Sequence, residues 1–227
     1  MSAVLPIEAA LPDLLSALKS ANQTVLQAPP GAGKTTRVPL FLLEQQLYSR
    51  KILMLEPRRL ATRAAAERMA DLLGEPVGKT VGYRMRGDAK VSTSTQIEVV
   101  TEGILTRMIQ SDPELPEISC IIFDEFHERS LQADLGLALA LEIRTALRDD
   151  LSLIVMSATL DAAPVAALMG DAPIITSMGK SYPVTQHFLS RPWMQAGRKG
   201  PRFEDAAASL IATAVSETDG GVLVFLP

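Results

Sequence analysis

The sequence predicts an open α/β fold, with a parallel β-sheet covered by helices on both faces. Three observations carry this expectation. Short apolar runs alternate with helix-like segments along most of the 227 residues. Runs such as Cys120–Phe123 and Leu151–Met156 are too apolar to leave one face wet, which marks strands buried on both sides. A strand-like stretch, Thr24-Val25-Leu26-Gln27, also leads into Ala28-Pro29-Pro30-Gly31-Ala32-Gly33-Lys34-Thr35-Thr36, with the helix-like Val38–Leu43 beyond it. Strand, glycine-rich turn, Gly-Lys-Thr and helix form the context of a phosphate-binding loop.

Taken in order, residues 7–21 place Leu11, Leu14, Leu15 and Leu18 at helical spacing, with Pro12 suited to a first turn. The loop and its helix follow, ending near Tyr48. Lys51–Leu55 reads as a buried strand. Arg58–Leu73 reads as a helix, closed by Gly74 and Pro76. Thr80–Arg84 and Gln96–Val100 are strand candidates, and Gly87–Ser94 between them is a polar loop. Thr101 caps the next helix, with Glu102 in its first turn and Asp112-Pro113 after its end. Cys120–Phe123 is a strand that delivers Asp124-Glu125-Phe126-His127. A helix over 131–147, the strand Leu151–Met156, a helix Asp161–Met169 and a strand Pro173–Thr176 complete the alternation.

The tail differs. Arg191–Pro201 is rich in Pro, Gly and basic residues and reads as a linker, followed by a helix at Phe203–Glu217 and a buried-type strand at Val222–Phe225. The expected division is residues 1–178 as one nucleotide-binding domain and 179–227 as a linker with the truncated start of a second. Trp193, His187 and Met178 are expected to serve packing or linkage.

Composition narrows the classes. Hydrophobic residues make up 47% and charged residues 21% of the chain, and the formal net charge is −4. These values fit a globular protein and give no bulk signal for nucleic-acid binding, so any such contact must be local. One cysteine, Cys120, forms no internal disulfide; its apolar surroundings make it a buried small hydrophobe and point to a reducing, cytoplasmic setting. Glu8 and Asp13 without a basic start argue against a signal peptide, and no apolar run approaches a membrane span.

The chemistry follows from residue types and spacing. Gly31 and Gly33 let the backbone approach a ligand closely, and loop N–H groups at a helix start converge on phosphate oxygens. Lys34 would reach the β- and γ-phosphates and Thr35 would hold Mg²⁺. Ala28 stands where the strict pattern has Gly. Asp124 and Glu125 follow four apolar residues, and two adjacent carboxylates at a strand end need a cation. In a phosphate-loop enzyme that cation is Mg²⁺, held by Asp124, while Glu125 orients and deprotonates the attacking water.

Ala28–Thr35, Pro57-Arg58-Arg59, Thr101-Glu102-Gly103, Asp124-Glu125-Phe126-His127 and Ser157-Ala158-Thr159 occur in the order of motifs I, Ia, Ib, II and III of superfamily 2 helicases. The chain resembles the DEAH branch of that superfamily, and within it the bacterial HrpB type. The third residue of motif II is Phe126 where DEAH proteins carry Ala, which suits the HrpB type. Motifs V and VI do not occur within residues 1–227.

The resemblance implies a RecA-like phosphate-loop NTPase fold with the start of a second RecA-like domain. It implies an ATP-dependent helicase that hydrolyses NTP with Mg²⁺ to translocate on or remodel RNA or DNA. His127 would contact Ser157 or Thr159 and link nucleotide state to domain movement. Arg58, Arg59, Thr101 and Gly103 would grip the backbone of one nucleic-acid strand without reading its sequence. Arg86, with Tyr83 and Arg84, is open to either a strand-edge structural role or a further contact. Arg63 and Arg68 read as solvated helix charges. Missing C-terminal domains of the same chain would be the remaining partner. Without their arginines, residues 1–227 alone are expected to bind nucleotide but turn it over very slowly. A nucleotide-dependent clamp that never separates strands, or a phosphate-loop ATPase acting on proteins, fits the same catalytic residues.

Overall fold

The computed structural model describes residues 5–158, 162–179, 184–189 and 202–226. Residues Met1–Ser181 form one compact unit and Tyr182–Pro227 another. After a 3-10 turn at Pro6–Ala10, the first unit runs α1 (Leu11–Ala21), β1 (Gln23–Gln27), α2 (Lys34–Glu44), β2 (Lys51–Glu56), α3 (Arg59–Leu72), β3 (Val81–Met85), β4 (Asp88–Lys90), β5 (Ile97–Thr101) and α4 (Glu102–Ser111). It continues with β6 (Ile118–Phe123), a 3-10 turn at Phe126–Glu128, α5 (Leu131–Ala146), β7 (Ser152–Ser157), α6 (Ala163–Leu168) and β8 (Ile174–Thr176).

The eight strands form one sheet in the order β4-β3-β5-β2-β6-β7-β1-β8, parallel throughout except at the β3–β4 pair. Side chains alternate across a strand, so the five central strands, β1, β2, β5, β6 and β7, each feed two cores. Leu26, Met54, Val99 and Ile122 join Leu11, Leu14, Val38, Ala66 and Met69 on one face. Val25, Leu53, Val100 and Ile121 join Leu105, Leu137 and Ile143 on the other. This is why the central strand sequences show no polar alternation: neither of their faces meets water, whereas the outer strands β4 and β8 are partly exposed.

Four local readings are corrected. The segment expected as a helix from residue 7 begins as a 3-10 turn, and α1 proper starts at Leu11 with Pro12 in its first turn. The polar loop Gly87–Ser94 contains β4: Gly87 takes a positive φ of 79°, turns the chain back, and Asp88–Lys90 pairs antiparallel with β3. Thr101 is the N-cap residue of α4 but its side chain makes no capping bond. Val222–Phe225 forms no strand, because a strand needs a neighbour for its N–H and C=O groups and the described residues of the second unit supply none. That unit carries α7 (Phe203–Glu217), whose start is marked by an Arg202–Asp205 ion pair at 3.1 Å.

No helix among the described residues is long and apolar enough to cross a membrane.

Candidate nucleotide and nucleic-acid site

Strand register sets the site. In a parallel sheet all C-terminal strand ends face one edge, and there the apolar sequences give way to polar ones. Thr101 of β5 is level with Glu56 of β2, Leu55 of β2 with Phe123 of β6, and Gln27 of β1 with Ser157 of β7. One edge therefore presents, in strand order, Arg86, Thr101, Arg58, Asp124-Glu125, Ser157 and the loop after Gln27.

The loop is built on two left-handed glycines, Gly31 at φ 77° and Gly33 at φ 94°, a region that side chains rarely adopt. It is stitched to β7 by the Ala28 N–H on the Ser157 carbonyl at 3.0 Å, and to the N-terminal segment by the Ile7 N–H on the Ala32 carbonyl at 3.1 Å. A Cβ on Gly33 would also press on Leu5, 2.8 Å from its Cδ1, so Leu5 would have to shift, but the positive φ is what demands glycine there. α2 starts at Lys34, and its first N–H groups open towards the loop's concavity.

Lys34 is 4% exposed, and its Nζ lies 2.8 Å from Glu125 Oε1. The Thr35 hydroxyl donates to Asp124 Oδ2 at 2.5 Å, and the Glu125 N–H donates to Asp124 Oδ1 at 2.8 Å. Burial raises the Asp124 pKa, the Glu125 charge adds to this, and the Thr35 bond and Lys34 oppose it. Beside it, Glu56 is buried at the end of β2. Desolvation first, then the Asp124 carboxylate, raises its pKa to about 9, so Glu56 carries a proton at neutral pH. Three carboxyls thus surround one ammonium. Among the described residues no cluster of three or more His, Cys, Asp or Glu could enclose a metal. Mg²⁺ needs no such cage, since it keeps most of its waters and takes one or two protein oxygens. The touching Thr35 hydroxyl and Asp124 carboxylate, amid surplus buried negative charge, fit that demand.

His127 accepts the Ala158 N–H at Nδ1, 3.2 Å away, so its proton sits on Nε2. Nε2 lies 3.4 Å from Glu125 Oε2. The imidazole therefore connects the end of β7 to Glu125. Its bond falls on the backbone between Ser157 and Thr159; Ser157 lines with it a cavity of about 150 Å³, and Thr159 lies outside the described residues, as does Trp193.

Of the arginines, Arg58 is exposed and its Nη2 pairs with Glu128 Oε1 at 2.7 Å. Arg59 Nη1 donates to the Arg86 carbonyl at 2.6 Å, and Arg63 lies over the Tyr83 ring at 5.6 Å, so these two fasten the β3–β4 hairpin to α3. Arg84 pairs with buried Glu98 at 2.6 Å. Gly103 faces open space at the start of α4. Ser130 caps α5, accepting the Ala133 N–H at 2.9 Å, and donates to Glu102 Oε2 at 2.5 Å. Glu56, Glu128 and the Glu102–Ser130 link were not singled out from sequence. Glu56 had a signal: like Asp124, it is a carboxylate closing an apolar strand.

Such an edge, on a sheet of this order, defines the phosphate-loop class of nucleotide-binding proteins. Within that class the chain belongs to the DEAD/DEAH box helicase family, whose family model matches residues 8–168. It is 52% identical over 223 residues to the ATP-dependent RNA helicase HrpB of Escherichia coli (strain K12), covering 98% of this chain and 27% of that protein. It is 33% identical over 234 residues to the probable ATP-dependent RNA helicase DHR2 of Saccharomyces cerevisiae, covering 100% of this chain and 30% of that one. The crystal structure of the Escherichia coli DEAH/RHA helicase HrpB superposes with a TM-score of 0.89 at 51% identity, over 98% of this chain and 28% of that one. The chain thus spans under a third of the length of these relatives, and its parallel sheet is the RecA-like helicase domain.

Proposed function

We propose that this chain is the nucleotide-hydrolysing domain of an ATP-dependent RNA helicase of the DEAH type. One observation supports this above the others: Lys34, Thr35, Asp124 and Glu125 meet, although 89 and 91 positions separate the bonded pairs. The loop N–H groups and Lys34 bind and orient the β- and γ-phosphates. Glu125 turns from Lys34 to an attacking water, orients it in line and takes its proton. Held by Thr35 and Asp124, Mg²⁺ would neutralise charge on the phosphates. Through Nδ1 on Ala158, His127 carries the position of Glu125 to the end of β7.

The nucleic-acid contacts we assign to Arg58, Thr101 and Gly103, with Arg86 on the hairpin beside them and Arg59 fastening that hairpin to α3. Single-stranded RNA is the proposed strand, in keeping with the relatives' names, and the lone, fully buried Cys120 fits a cytoplasmic setting. The test is ATP turnover by the protein at its full natural length, with single-stranded RNA, single-stranded DNA or neither. RNA stimulation that vanishes in Lys34→Ala is expected; turnover indifferent to both nucleic acids would overturn the reading. A strand-displacement assay separates a helicase from a clamp.

A further inference from the structure

We infer that Glu128 is an electrostatic latch on Arg58: it occupies the guanidinium until a backbone phosphate displaces it, and that exchange reports the strand to Glu125. This rests on the proposed reading of the edge as a single-strand RNA site.

The latch is built to be displaced. Arg58 is the N-cap residue of α3, a helix with no side-chain cap and no acidic residue in its first turn. Its positive end therefore has no side-chain anion of its own, and Glu128, from another element, pairs with the Arg58 guanidinium at 2.7 Å from Nη2. Arg58 is 71% and Glu128 33% exposed, so solvent weakens the pair. A phosphate takes a guanidinium through two parallel bonds and also gains from the helix start. A carboxylate and a phosphate cannot share that fork without repulsion, so the strand must expel Glu128.

The latch is also joined to the chemistry. Glu128 ends a one-turn 3-10 helix, and its N–H bonds the Glu125 carbonyl at 2.9 Å. The turn is bounded by two left-handed non-glycine residues, Glu125 and Arg129, both at φ 49°. Such backbone persists only where its surroundings hold it. Its polar holders include Lys34 on Glu125, Ala158 on His127 and Arg58 on Glu128, while Asp134 on Arg129 and the packing of buried Phe126 against Phe123 anchor its far end. Releasing the third lets the turn, and Glu125 with it, move off Lys34. Thr35, Glu56, Arg58, Glu125 and Glu128 line one cavity of about 370 Å³, so latch and catalytic carboxylate share a space. Glu128 is thus a positioning residue for strand-stimulated hydrolysis.

The experiment uses the protein at its full natural length and fluorescein-labelled oligo(U) RNA, without nucleotide. Glu128→Gln should bind about two- to fivefold more tightly than wild type, the size of an exposed pair removed from competition. Its ratio of RNA-stimulated to basal turnover should fall, because the turn is already released. Glu128→Asp, which keeps the charge, should restore both values, and Glu128→Ser should repeat the sign of Glu128→Gln. In an Arg58→Ala background the gain from Glu128→Gln should disappear. Unchanged or weaker binding by Glu128→Gln, or an equal gain without Arg58, would overturn the latch. A wild-type protein that does not bind oligo(U) would instead overturn the reading of the edge.

Discussion

Lys34 Nζ and Glu125 Oε1 lie 2.8 Å apart, so the carboxylate assigned to the attacking water rests on the lysine assigned to the phosphates. The pair keeps a nearly buried ammonium neutralised while no phosphate is bound, where an unpaired buried charge would be costly. On the proposed reading, nucleotide binding would exchange one anion for another and free Glu125 for its water.

Glu125→Gln should therefore bind Mg-ATP at least as tightly as wild type, since a competing carboxylate is gone. Turnover should drop by about 10²–10⁴, the usual contribution of a positioned general base. Nucleotide titration alongside steady-state phosphate release measures both. Wild-type turnover in this variant would remove Glu125 from the chemistry.

Lys34→Ala should weaken binding of both ATP and ADP, because it deletes the cation facing the loop. It also leaves Glu125 with only His127 beside it among the described residues. Calorimetric titration reads the effect, and undiminished affinity would contradict the assignment of the loop.

Glu56 gives a pH signature. Its folded pKa, about 9, lies above the ordinary 4.5, so between those values the folded state keeps a proton that the unfolded state has lost. By linkage this contribution is complete below pH 4.5 and is lost as pH rises through 9. Wild-type protein without Mg²⁺ should melt at progressively lower temperature from pH 5 to pH 9, and Glu56→Gln should flatten that decline. Parallel melting curves would show that Glu56 is not a buried neutral acid.

The two motif Ia arginines should separate. Arg58→Ala should reduce the slope of log K against log salt for single-stranded RNA by about 0.7, as one lost phosphate contact does. Arg59→Ala, which releases the Arg86 carbonyl, should act chiefly on the β3–β4 hairpin, read as faster amide exchange at Asp88–Lys90. Equal slopes in wild type and Arg58→Ala would place Arg58 away from the strand.

Ser130→Ala removes both the cap of α5 and the bond to Glu102. Loss of an N-cap costs about 1 kcal/mol. Urea unfolding should show a destabilisation of at least that size, and none at all would mean the cap is replaced by solvent.

The sequence alone determined the parallel sheet, its two covered faces and which residues to propose for the nucleotide site. Glycine spacing, continuous apolar strands and carboxylates closing an apolar run are local signals, and each has one physical solution. The β3–β4 hairpin escaped because three residues are too few to show a period, and only pairing with β3 makes Asp88–Lys90 a strand. Partners could not be read at all. Arg58, Arg59 and Arg63 look alike in the chain, yet one faces Glu128, one the Arg86 carbonyl and one the Tyr83 ring. Glu56 looks like a charged strand end until β2 and β6 lie side by side, with Leu55 beside Phe123 and Asp124 next along, and burial keeps its proton in place. Those choices belong to the tertiary structure, because the electrostatics of a side chain depend on what lies within a few ångströms of it, and strand order brings those groups from distant parts of the chain.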